Sequence, residues 1–80
     1  MTLGEKLYHY RKAAGYSQKE LSALLQVPQS AYVFYETDRA EPSLKNTLRL
    51  ARLYGVAMET LVSEEHEPKI QNKSETEERA

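Results

Sequence analysis

The chain of 80 residues contains no cysteine. That excludes a disulfide framework and any thiol chemistry, and it suits a reducing cytoplasm, the expected location. No apolar run approaches the roughly 18 residues that read as a membrane-spanning helix. The first residues also lack a secretory signal pattern, so no membrane association is expected. No nucleophile–base pair, glycine-rich phosphate loop or metal cluster is present, which argues against an enzyme. The cluster Glu64-Glu65-His66-Glu67 has carboxylates but no second histidine nearby, so neither metal nor cofactor is expected.

An excess of positive charge is missing too, since the formal net charge is −1. The total conceals an asymmetry. Residues 1–62 carry eight Lys or Arg against six Asp or Glu, a balance of +2, whereas residues 63–80 carry three against six, a balance of −3. The first part is mildly basic and the last part acidic. Ile70 is almost the only apolar residue of that tail, so it cannot offset its own ordering entropy and is expected to be disordered. What precedes it is long enough for one small domain, whose stability should be marginal unless it dimerises.

The most informative stretch is Ser17 to Glu36, SQKELSALLQVPQSAYVFYE. Ser17 and Glu20 form a capping box, with Tyr16 and Leu21 placed as a hydrophobic staple across it. Leu21 and Leu25 mark an apolar line at helical spacing, and Ser22 is small enough for close helix approach. Val27 closes a turn, and Pro28 fits the start of another helix, where a missing N–H costs nothing. In that helix Ala31, Tyr32 and Tyr35 fall on one side, and Gln29, Ser30, Val33, Phe34 and Thr37 on the other. The run from Ala31 to Tyr35 is β-branched and aromatic, the composition of a strand. The flanking caps decide for helix.

Around this stretch the rest of the chain reads as helix as well. Leu3, Leu7, Tyr10 and Ala14 recur at helical spacing over about Thr2 to Ala14, with Gly15 as a left-handed terminator. Thr37 to Pro42 is a loop by composition. Ser43 caps a helix with Leu44, Leu48, Ala51 and Tyr54 at core spacing and Gly55 at its end. A short helix from about Met58 to Val62 follows. Lys45, Arg49 and Arg52 read as a solvated helix face, and Tyr8 and His9 as surface.

The segment from Ser17 to Glu36 resembles the helix-turn-helix of the lambda-repressor-like, Cro/XRE family of bacterial and phage transcription regulators. The likeness lies in Leu21, Leu25, Val27, Tyr32 and Tyr35, in small Ser22, and in Ser17-Gln18 at the helix start. It extends to Pro42-Ser43-Leu44, Leu48, Ala51, Gly55, Val56 and Leu61, and so covers about residues 2 to 62. The resemblance implies an all-α, five-helix DNA-binding domain over 1–62, with a buried ion pair between Arg11 and Glu36. Three departures stand out. Gln26 occupies the turn where the family has glycine, Asp38 stands where glycine often follows the glutamate, and the outward face of the second motif helix has no Lys or Arg.

The chemistry of recognition follows from placing helix 28–35 in a major groove. Gln29, on the first turn, can bond bidentately to adenine N6 and N7, and Ser30 can donate or accept. Val33 and Phe34 can pack on thymine methyl groups. The resemblance gives Gln18 a phosphate contact and a bracing role toward Gln29. Ser17, Lys19, Thr37 and Arg39 are further candidates for the backbone, which fixes register without reading sequence. The resemblance thus implies a sequence-specific regulator, expected to be a repressor, bound to double-stranded DNA. A homodimer would sit on a two-fold symmetric operator with half-sites one helical turn apart. Met58 and Val62 would either cap the core or form the dimer seam. The alternative is a protein-interaction module such as an antitoxin, using Val33 and Phe34 as an exposed patch for a protein partner.

Overall fold

The protein is described by a computed structural model over residues 1–63. Residues 64–80, which hold nearly all of the acidic tail and the Glu64–Glu67 cluster, lie outside the described residues. Among the described residues there are five helices and no strand: α1 Leu3–Ala14, α2 Gln18–Leu25, α3 Gln29–Glu36, α4 Leu44–Tyr54 and α5 Met58–Val62. No helix among them is long and apolar enough to cross a membrane.

Local signals set most of the helix ends. Thr2 and Ser17 both form capping boxes, with Glu5 and Glu20 respectively. Gly15 and Gly55 close α1 and α4 in the left-handed conformation. Gln26 ends α2 in that same conformation, φ 59° and ψ 45°, where a Cβ costs about 1–2 kcal/mol. Pro28 is the cap of α3 rather than its first residue, and the aromatic run behind it is helical. Burial of Tyr32 and Tyr35 against α1 and α2 outweighs their strand propensity.

The core joins Leu7 of α1, Leu21 and Leu25 of α2, Tyr32 and Tyr35 of α3, Leu50 and Ala51 of α4, and Leu61 of α5. One face departs from the apolar pattern. On α4 the buried residues are Asn46, Thr47, Leu50 and Ala51, whereas Leu44 and Leu48 are 78% and 37% exposed. The helix is rotated relative to its leucine stripe because the two buried polar side chains are bonded locally. Thr47 Oγ1 donates to the Ser43 carbonyl at 2.8 Å, and Asn46 Oδ1 accepts from Arg49 Nη1 at 3.0 Å. A satisfied polar group is tolerated inside, so hydrophobicity alone misplaces the stripe. Ala14, expected on the inner stripe of α1, is exposed beside the exposed Gly15.

At Gly4 α1 approaches the backbone of α3 closely. A Cβ there would lie 2.5 Å from the Glu36 carbonyl oxygen and 2.8 Å from that of Tyr35. Only a residue without a side chain lets the first turn of α1 rest on the end of α3.

Candidate nucleic-acid interface

The orientation of α3 depends on one carboxylate. Glu36 Oε2 accepts from Arg11 Nε and from the Tyr32 hydroxyl, both at 2.6 Å. Its Oε1 accepts from Gln18 Nε2 at 3.2 Å and from Arg11 Nη2 at 3.3 Å. Arg11 Nη1 in turn donates to the Tyr16 carbonyl at 3.0 Å, in the turn between α1 and α2. The ion pair is buried, its side chains 9% and 5% exposed. One acidic group therefore ties α1, α2 and α3 together.

The protonation states follow from this cluster. Burial pushes the Glu36 carboxyl up, but the hydrogen bonds from Arg11, Tyr32 and Gln18 outweigh it and hold the pKa below the usual value. The Arg11 guanidinium is raised, chiefly by its hydrogen bond to Glu36. The Tyr32 hydroxyl is raised by burial and then by donation to Glu36, so it stays protonated. Tyr54, which stacks on Tyr10 with ring centroids 5.2 Å apart, is pushed up to about 12, mainly by burial.

With that side of α3 fixed inward, Gln29 and Ser30 are exposed on its first turn. Their side chains have no hydrogen-bond partner among the described residues. Val33 is half-buried, and Phe34 is 44% exposed. Of the residues expected to flank the helix, Ser17, Lys19, Thr37 and Arg39 are exposed. The Thr37 hydroxyl donates back to the Val33 carbonyl at 3.1 Å. Gln18 is half-buried, turned toward Glu36, and makes no hydrogen bond to Gln29. One residue and one hydroxyl group whose roles the sequence did not reveal matter here. Gly4 lets α1 approach α3, and the Tyr32 hydroxyl, besides filling the core, donates to the hub. Met58 packs partly buried against the core, and Val62 is 51% exposed.

A family model for the helix-turn-helix matches residues 7–61. The chain belongs to this helix-turn-helix family. The family is one of DNA-binding transcriptional regulators and not of enzymes. Among curated relatives, the chain is 35% identical over 63 residues to the SPbeta prophage-derived uncharacterized HTH-type transcriptional regulator YonR of Bacillus subtilis. That match takes in 79% of the chain and 58% of YonR. It is 33% identical over 76 residues to the HTH-type transcriptional regulator ImmR of the same organism, covering 95% of the chain and 58% of ImmR. The helix-turn-helix chain thus spans a little over half the length of these relatives. Its fold is that of a transcriptional regulator from Listeria innocua, with a TM-score of 0.75 at 20% identity over 91% of this chain and 64% of the other. It also matches a chain of the SinR–SinI protein complex, with a TM-score of 0.70 at 28% identity over 86% and 68% of the two chains.

Proposed function

We propose that this helix-turn-helix regulator reads a specific DNA sequence by laying α3 in the major groove. Gln29 and Ser30 bond to base edges, while Val33 and Phe34 meet thymine methyl groups. Ser17, Gln18, Lys19, Thr37 and Arg39 contact the backbone, Gln18 with the amide hydrogen not given to Glu36. The observation that carries this reading is the free hydrogen-bonding capacity of Gln29 and Ser30 on an exposed first turn whose opposite side is pinned by Glu36. A homodimer on a two-fold operator completes the proposal, with exposed Val62 in the seam and repression as the mode.

Selection of bound sequences from a random duplex pool tests it. The expected result is an A·T-containing half-site repeated with two-fold symmetry one helical turn away. Recovery of no preferred sequence would refute it. Exposed Phe34, together with the match to a chain of a protein–protein complex, supports a second reading in which α3 docks a protein. Association with DNA that does not weaken with added salt would favour that second reading, because phosphate contacts release counterions.

A further inference from the structure

The outward face of α3 has no cation of its own, and the nearest one downstream is Arg39 in the loop after it. The chain reverses at Asp38, a left-handed residue with φ 61°. The reversal brings the amides of Arg39 and Ala40 onto the Phe34 carbonyl, at 2.9 and 3.3 Å. It also sets the Arg39 guanidinium over the Phe34 ring, with Cζ 5.9 Å from the ring centroid. The bend is secured from α1. The Asp38 carboxylate accepts from Thr2 Oγ1 at 2.6 Å and from the Gly4 amide at 2.9 Å. Arg39 has no carboxylate partner among the described residues, so its charge remains available.

We infer that Phe34 is a positioning residue: it holds Arg39 on its ring and so delivers to a DNA phosphate the cation that α3 lacks. This rests on the DNA reading above and adds a role for Phe34 beyond its methyl contact. A guanidinium drawn to an aromatic ring by its charge leaves N–H groups free to bond a phosphate. It is also partly ordered before binding, which lowers the entropy lost when a long side chain engages its ligand.

The test uses the full chain and a duplex recovered by the selection above. Affinity is measured between 50 and 200 mM salt for the wild type, Arg39→Ala, Phe34→Leu, Phe34→Tyr and the Phe34→Leu/Arg39→Ala double variant. Arg39→Ala should lower the slope of log affinity on log salt by about 0.9, so that it loses about 3.5-fold less affinity across that range. Phe34→Leu, which keeps an apolar group for the thymine methyls, should weaken binding about two- to fivefold when Arg39 is present and by clearly less when it is absent, and Phe34→Tyr should keep full affinity. Thermal midpoints equal to that of the wild type would show that the losses do not come from folding. An equal loss from Phe34→Leu in both backgrounds, or an unchanged salt slope in Arg39→Ala, overturns the inference while the DNA reading stands. A wild type that selects no duplex overturns both.

Discussion

Replacing Gly4 by alanine sets two well-known effects against each other. In an isolated helix the change is favourable by up to about 1 kcal/mol, because glycine has the greater backbone entropy to lose. Here the new methyl group would meet the Glu36 carbonyl oxygen at 2.5 Å and the Tyr35 carbonyl oxygen at 2.8 Å, roughly 1 Å inside ordinary contact. Both obstacles are backbone and cannot rotate away, so α1 must lift. Lifting it stretches the 2.9 Å bond from the Gly4 amide to Asp38 and disturbs the approach of Arg11 to Glu36. Overpacking of this kind costs about 1–3 kcal/mol, more than the propensity gain. For a domain of this size, each 1 kcal/mol of net loss lowers Tm by about 4–8 °C. Thermal and urea unfolding followed by circular dichroism measure it. An alanine variant as stable as the wild type, or more so, would refute the close-approach argument.

Three further outcomes follow from the same contacts. Glu36→Ala leaves Arg11 buried without its partner and should cost about 3–5 kcal/mol by urea unfolding; a loss under about 1 kcal/mol would mean that the hub does not hold the helices. Because the folded-state pKa of Glu36 is lowered, its contribution to stability is complete above the unfolded value near 4.5 and is lost as pH falls through the lower folded value. Stability of the wild type should therefore decline below about pH 4.5, and Glu36→Gln should flatten that decline. An identical acid profile in the two proteins would contradict the assignment. Gln26→Gly removes a left-handed Cβ and should leave the unfolding free energy from urea titration unchanged or raise it by up to about 1 kcal/mol, whereas a clear drop would show that the glutamine side chain does something the backbone conformation does not explain.

The parts of this fold that are legible in the sequence are those set by local chemistry. Capping boxes at fixed spacing, left-handed terminators and the leucines of α2 specify their neighbourhoods without outside help. The Arg11–Glu36 pair was accessible only through the family resemblance, since nothing local links residues 25 apart. What stayed hidden depends on three-dimensional approach. Gly4 looks like an ordinary residue near a helix start until α3 is laid across it. Thr47 and Asn46 look like solvent-facing positions until Ser43 and Arg49 satisfy them. Asp38 stands in the sequence only as a departure from the family's glycine, but its carboxylate binds the first turn of α1, a bond between residues 34 apart. Gln18, expected to brace Gln29, instead donates to Glu36, which sequence spacing alone cannot distinguish.

The central claim, that the exposed first turn of α3 reads base edges, is tested most directly by comparing Gln29→Ala with the wild type on a selected duplex and on an unrelated one. The loss of a bidentate contact should reduce affinity for the selected duplex by about 1–3 kcal/mol and leave the unrelated duplex nearly unaffected. Equal losses on both, or no loss on either, would contradict it.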